Sequence, residues 1–101
     1  MIKVGKKSDR NAIYIGRPSP LGNPFPMQNH TTEERDRVCD LYQEWFDRKI
    51  NAGDTEILAA LHAIPHDAIL GCYCFPLRCH GDTIKRYLDE HTSGISLFTY
   101  N

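Results

Sequence analysis

The sequence lacks any long apolar run, and its first residues contain nothing that resembles a secretion signal. No segment approaches the ~18 consecutive apolar residues that a membrane-spanning helix requires. The opening residues, MIKVGKK, are rich in lysine instead. These absences predict a cytoplasmic protein with no membrane partner, in which the four cysteines are thiols or metal ligands rather than disulfides.

The sequence also lacks the motifs and charge patterns of several common binding proteins. It contains neither G-x-G-x-x-G nor G-x-x-x-x-G-K-[ST], so no familiar nucleotide cofactor is predicted. No helix rich in lysine and arginine is present, and the formal net charge is -1. Duplex nucleic acid is therefore not an expected partner.

The charge is nevertheless distributed unevenly along the chain. Residues 1–30 hold five basic residues against one acidic residue, Asp9, so the rest of the chain is acidic. A basic first third favours a phosphate-bearing ligand at that end of the molecule. Lysines on the solvent face of an N-terminal strand would give the same distribution.

The 101 residues predict one domain, residues 1–101, with a single modest core. Residues 1–4 and 12–15 have the composition of short strands, and the polar residues between them predict an N-terminal hairpin over residues 1–15. A proline-rich motif loop follows over residues 16–30.

Helical patterns occupy the middle of the chain. Thr31 and Glu34 form a capping-box pattern, and Gly53 suits the end of the helix that they begin. Asp54 is placed to cap a second, shorter helix that stops before Pro65. Apolar residues recur at the spacing of one face of the first helix, at Val38, Leu41, Tyr42, Trp45 and Phe46.

The last third contains one strand pattern and one helix pattern. Residues 68–74 form an apolar run typical of a central strand, and a helix is predicted to begin near Gly81. Residues 95–100, within a C-terminal tail over 92–101, favour a final edge strand or an ordered tail. The order of elements predicts a small α/β sandwich, with a short mixed sheet and about three helices.

The motif loop carries the first group of candidate binding residues. Four prolines make it stiff, and the segment S-P-L-G at residues 19–22 matches a type I turn. The Arg17 guanidinium suits a phosphate or carboxylate, and Ser19 and Asn23 offer polar groups. We therefore expect Arg17, Ser19 and Asn23 to bind a ligand, unless the loop serves only to cover one end of the sheet.

The second group lies in residues 72–80, CYCFPLRCH, which precede the predicted last helix. A helix N-terminus stabilises anions, so Cys79 and His80 are candidate catalytic residues, with Cys79 as a low-pKa thiolate. Asp82 is placed to orient His80, and Gly81 to bind a ligand through its backbone.

Two other interpretations of the same residues stay open. Cys72, Cys74, Cys79 and His80 form a chemically suitable zinc set, although their spacing departs from paired C-x-x-C knuckles. Alternatively, the cysteines are small apolar residues of a buried strand. Zinc is thus the one cofactor that the sequence allows for.

The segments YIGRPSPLGNPF (residues 14–25) and GCYCFPLRCHGD (residues 71–82) together resemble the domain-of-unknown-function family numbered 4326. The similarity runs from about residue 4 to residue 88. It includes an arginine at 35 or 37 followed by Tyr42 and Trp45, and it departs from the family at Tyr73, where tryptophan is more usual. This family is common in tailed-phage and bacterial genomes, so the resemblance implies a phage-type protein in which the two motifs meet.

These observations together predict a cleft between the motif loop and the start of the last helix. We expect it to bind a small anionic ligand such as a nucleotide or nucleobase derivative. Two other functions fit the sequence: a non-enzymatic phage protein that binds a host protein, and a zinc-stabilised interaction module. Whether the cleft performs chemistry stays open at this point, because no dedicated general base is evident.

Overall fold

A computed structural model describes the backbone of residues 2–72 and 77–100, and the side chains of those residues as far as His91. It confirms a small α/β domain. Within the described residues, three helices accompany a short three-stranded sheet. The elements in chain order are β1 (Lys3–Lys6), β2 (Ile13–Tyr14), α1 (Thr32–Asn51), α2 (Thr55–His62), β3 (Ile69–Cys72) and α3 (Gly81–Tyr100).

The sheet has the order β1-β3-β2, and both outer strands run parallel to β3. The predicted hairpin over residues 1–15 is therefore wrong, because β1 and β2 lie on opposite sides of β3. The predicted mixed sheet is also wrong for the described strands, which are all parallel. The polar residues 7–12 do turn the chain, through hydrogen bonds from Asp9 N–H to the Lys6 carbonyl and from Ala12 N–H to the Asp9 carbonyl. These residues lead the chain across β3 to form β2 on its other side, and the chain does not turn back to pair with β1.

Gly71 allows that crossing. A Cβ atom added at Gly71 would lie 2.9 Å from the Cα of Lys7 and 3.3 Å from the Cβ of Ala12. The first distance is shorter than real Cβ contacts and involves backbone, which cannot easily move. The connection from β1 to β2 thus covers one face of β3 in place of a helix.

The helices cover the other face of β3, on which Leu70 and Cys72 lie. Leu70 is fully buried and shares one hydrophobic core with Tyr42 and Phe46 of α1, and with residues of the other helices. The contributions of α2 and α3 to this core are Ile57, Leu61 and Ile84. The apolar face predicted for α1 is therefore confirmed, with Val38, Tyr42 and Phe46 buried.

The start of α1 follows the predicted cap with one change. The Thr31 hydroxyl accepts a hydrogen bond from Glu34 N–H at 3.2 Å, as expected. The Glu34 carboxylate reaches back to Gln28 N–H at 2.7 Å rather than to Thr31, and it pairs with Arg37. The Arg37 hydrogen bond, followed by that from Gln28, lowers the pKa of Glu34 to about 2.

The end of α1 and the start of α2 agree with the sequence. Gly53 has a φ of 70°, which glycine adopts readily after a helix. The Asp54 carboxylate accepts a hydrogen bond from Ile57 N–H at 3.0 Å and so caps α2.

The C-terminal segment differs from its prediction. The backbone of α3 continues as a helix to Tyr100, so residues 95–100 form neither an edge strand nor a separate tail. These residues are rich in β-formers, but they directly follow turns that Ile84 anchors in the core, and extending an existing helix is easier than starting a new element. None of the helices in the described part of the chain is long and apolar enough to cross a membrane.

The crossing at Gly71 gives a first prediction. Gly71→Ala should lower the free energy of unfolding by about 1–3 kcal/mol, because the added methyl group overlaps the backbone of Lys7. Urea denaturation followed by circular dichroism measures the change. The control Ser8→Ala alters an exposed residue of the same connection and should stay within about 0.5 kcal/mol of the wild type. Equal stability of Gly71→Ala and the wild type would show that the connection does not press on β3.

Candidate functional site

The motif loop is a compact series of turns at the carboxyl end of β2. Ser19 N–H donates to the Gly16 carbonyl, and Gly22 N–H donates to the Ser19 carbonyl, each at 2.8 Å. The second bond confirms the turn predicted at residues 19–22. A Cβ at Gly22 would lie 2.8 Å from the backbone nitrogen of Arg17, so the loop closes tightly on itself at this glycine. The Arg17–Pro18 peptide bond is cis.

Hydrogen bonds to α1 hold the loop in place. The Tyr42 hydroxyl donates to the Leu21 carbonyl at 2.8 Å inside the core, and burial raises the pKa of this phenol so that it stays protonated. The Asn23 amide nitrogen donates to the Val38 carbonyl at 3.1 Å. The loop and α1 therefore form one continuous wall.

Two of the predicted ligand-binding residues, Asn23 and Ser19, form hydrogen bonds that stabilise this wall. The Asn23 side-chain oxygen accepts from Phe25 N–H at 2.8 Å, so both polar atoms of Asn23 already have protein partners. The Ser19 hydroxyl accepts from Leu21 N–H at 3.2 Å and does not line the cleft described below. Asn23 lines the cleft as a positioning residue, and Ser19 stabilises the turn.

His80 joins the second motif to the first. Its Nε2 lies 2.8 Å from the Ile15 carbonyl oxygen, and the ring packs edge-on against Tyr42 with 4.9 Å between centroids. A carbonyl oxygen only accepts, so Nε2 carries a proton and donates it, and in the neutral form of the ring the lone pair lies on Nδ1. His80 directly precedes α3, and Ile15 directly follows β2. The two motifs are therefore in direct contact.

Cys79 is a buried thiol and not the expected low-pKa thiolate. Its side chain is 3% exposed. A hydrogen bond to the Cys72 thiol, followed by burial, raises the pKa of Cys79, although Gly81 N–H donates to its sulfur and acts in the opposite direction. The helix N-terminus alone would have favoured the anion, but the tertiary environment outweighs it.

Gly81 and Asp82 do not face the same cleft as Arg17. Gly81 is buried, and a Cβ there would lie 2.9 Å from Ile15 Cδ1, so this glycine permits the start of α3 to pack closely on the Ile15 side chain. Asp82 is exposed and lines a neighbouring pocket of about 180 Å³ with Gln43 and Arg86. Since the Ile15 carbonyl fixes the His80 ring, Asp82 is not needed to orient it.

A cleft of about 510 Å³ lies between the loop, the start of α1 and the residues that precede α3. Of the seven predicted site residues, it brings together Arg17, Asn23, Cys79 and His80. Among the described residues, none of those that line it is an aspartate or a glutamate. The other lining side chains that matter for its chemistry are Tyr14, Phe25, Arg35, Cys39, Cys72 and Arg78.

The three arginines of the cleft differ in their partners. Arg78 pairs with Asp36 at 3.2 Å and with Asp40 at 2.8 Å, which raises its pKa and ties residue 78 to α1. Arg17 and Arg35 have no hydrogen-bonded or ion-paired side-chain partner in the part of the chain that the structure describes. The Nε atom of Arg35 is buried without any hydrogen-bond partner.

Sequence reasoning did not select Arg35 or Arg78 as site residues. Arg35 entered only as an alternative to Arg37, and the prediction did not choose between the two. The structure separates them, since Arg37 pairs with Glu34 whereas Arg35 lines the cleft. Arg35 lies three residues before Val38 and four before Cys39, which also line the cleft, and this helical spacing was the available signal.

The predicted zinc set falls partly outside the described residues, because Cys74 belongs to residues 73–76. Among the residues that the structure describes, no group of three or more histidine, cysteine, aspartate or glutamate side chains is arranged to hold a metal ion. Cys39, Cys72 and Cys79 are buried thiols that form no disulfide within the described residues.

The contact between Tyr42 and the loop gives a second prediction. Tyr42→Phe should lower the free energy of unfolding by about 1–3 kcal/mol, because the buried Leu21 carbonyl loses its donor. Urea denaturation measures the loss. Tyr87→Phe is the matched control, since the Tyr87 hydroxyl has no hydrogen bond within the described residues. Equal effects of the two substitutions would show that the Tyr42 hydroxyl does not hold the loop.

The state of Cys79 gives a third prediction. Because its pKa is raised above the ordinary thiol value, the thiol stays neutral between pH 7 and 8, and native Cys79 should react with iodoacetamide at least ~10-fold more slowly than in urea. Peptide mapping by mass spectrometry measures the rate at each cysteine. Native Cys79 that reacts as fast as a free thiol at pH 7 would restore the thiolate interpretation.

No curated protein and no solved structure matches this chain significantly. A family profile does match it, over residues 2–90 of the 101. The matched region contains the three described strands, α1, α2 and the residues of both motifs that line the cleft. The chain therefore belongs to the family described as Domain of unknown function (DUF4326).

Proposed function

We propose that the cleft binds a small anionic ligand of the nucleotide or nucleobase class. The observation that carries this proposal is the charge of the lining: three arginines, with no carboxylate among the described lining residues. Asp36 and Asp40 neutralise Arg78 in part, but Arg17 and Arg35 have no such partner in the described chain. A concave surface with this balance attracts anions.

The size and the aromatic residues of the cleft support a ligand with a base. A volume of about 510 Å³ lies within the range of small-molecule sites. Tyr14 and Phe25 line the cleft, and aromatic rings stack on nucleobases without regard to sequence. The Lys7 ammonium lies 5.8 Å from the centre of the Tyr14 ring, so Phe25 is the better candidate for stacking.

His80 is the residue of this proposal best suited to contact a polar group of the ligand. Its Nε2 is held by Ile15, which leaves Nδ1 to accept a hydrogen bond when the ring is neutral. Cys79 is neutral and bound to Cys72, so it contributes packing rather than nucleophilic attack. The proposed function is therefore binding. Any proton transfer in the cleft would pass through His80.

A panel of nucleoside monophosphates and diphosphates, titrated by isothermal calorimetry, tests this function. We expect binding that Arg17→Gln weakens by about 3–10-fold, since Arg17 is exposed and its charge is screened by solvent. The control is Arg10→Gln, which removes the same charge from an exposed residue outside the cleft and should change affinity by less than twofold.

Two results would contradict the proposal. Absence of binding across the whole panel at millimolar ligand would remove it. Equal losses in Arg17→Gln and Arg10→Gln would show that the overall charge of the N-terminal third, rather than the cleft, attracts the ligand.

A further inference from the structure

Arg35 differs from every other arginine for which side-chain surroundings are described, because its Nε atom is both buried and without a hydrogen-bond partner. An unpaired donor removed from water destabilises a folded protein by about 1–3 kcal/mol. Among the described residues, no other buried side-chain nitrogen or oxygen lacks a partner. This donor therefore points to a group that the protein chain does not itself provide.

The backbone beneath Arg35 is firmly held. Arg35 N–H donates to the Thr31 carbonyl at 3.0 Å, the first hydrogen bond of α1. Thr31 caps this turn, and Val38 one turn later is buried. The side chain thus extends from a fixed helical turn and lines the cleft, so its backbone needs no ordering when a ligand binds.

We propose that Arg35 is the phosphate-binding residue of the cleft, with its Nε and one terminal nitrogen donating to two oxygens of a single phosphate group. This inference rests on the proposed function and deepens it. Nε and one terminal nitrogen lie on the same side of the guanidinium group, so their N–H bonds point in parallel and can reach two oxygens of one phosphate. Bound phosphate would satisfy the buried donor.

The charge of the site favours a phosphate over a carboxylate. Arg17 also lines the cleft and has no ion-pair partner in the described part of the chain. Two guanidinium groups match the two negative charges of a phosphate monoester, whereas a carboxylate would neutralise only one of them. Arg35 supplies directed hydrogen bonds, and exposed Arg17 supplies the second charge.

The test compares lysine substitutions, which keep the positive charge of arginine but remove its parallel N–H donors. The probes are inorganic phosphate, pyrophosphate, the tightest nucleoside monophosphate of the panel, and its nucleoside. We expect Arg35→Lys to weaken binding of the three phosphate-bearing probes by at least ~10-fold and binding of the nucleoside by less than twofold. Arg17→Lys should weaken the same probes by less than threefold, because it preserves the charge.

Arg37→Lys is the matched control. It lies two residues away on α1, pairs with Glu34 and does not line the cleft, so it should change the affinity for every probe by less than twofold. A second measurement needs no ligand. Arg35→Met keeps the apolar stem and removes the unpaired donor, so it should leave the unfolding temperature unchanged or raise it by about 4 °C.

The outcomes separate the inference from the function on which it rests. Arg35→Lys that binds every phosphate within twofold of the wild type overturns the inference alone, as does a nucleoside that binds as tightly as its monophosphate. Loss of stability in Arg35→Met, as for a core truncation, overturns it as well. Pyrophosphate binding that depends on Arg35, without nucleotide binding, supports the inference and removes the nucleotide assignment. No binding of any probe overturns both.

Discussion

The parallel pairing of β3 with both outer strands is the constraint on which the rest of the structure depends. Parallel strands share one carboxyl edge, so the end of β2, where the motif loop begins, lies at the same edge of the sheet as the end of β3. The hydrogen bond from His80 to the Ile15 carbonyl attaches the start of α3 to this edge. Ligand sites in α/β proteins often lie at this edge, and the cleft of this protein lies at the same edge.

Most polar groups of the two motifs form hydrogen bonds within the protein, so they stabilise the cleft. Both polar atoms of the Asn23 side chain, the Ser19 hydroxyl and the Cys79 thiol have partners within the protein. The charged side chains of the lining that have no ion-pair partner among the described residues are Arg17 and Arg35. The cleft is therefore framed by hydrogen bonds between neutral groups, and its electrostatic character comes from arginines of the motif loop and of α1.

The sequence was sufficient where the deciding interactions are local. The caps at Thr31 and Asp54, the glycine after α1 and the turn at residues 19–22 each involve residues within four positions of one another. It was insufficient where the partner is distant. The strand that separates β1 from β2 begins at Ile69, more than fifty residues later, so a hairpin was the simpler prediction. The pKa of Cys79 and the unpaired state of Arg35 likewise depend on burial, which local pattern does not reveal.

The attachment of residue 78 to α1 has a mechanical consequence. The segment before α3 is attached to the rest of the cleft in two ways: by the buried hydrogen bond from His80 to Ile15, and by ion pairs from Arg78 to two largely exposed aspartates of α1. Exposed ion pairs of this kind contribute only about 0–1 kcal/mol each. The contact at Arg78 is consequently the weaker of the two, and the cleft opens most easily where residue 78 meets α1.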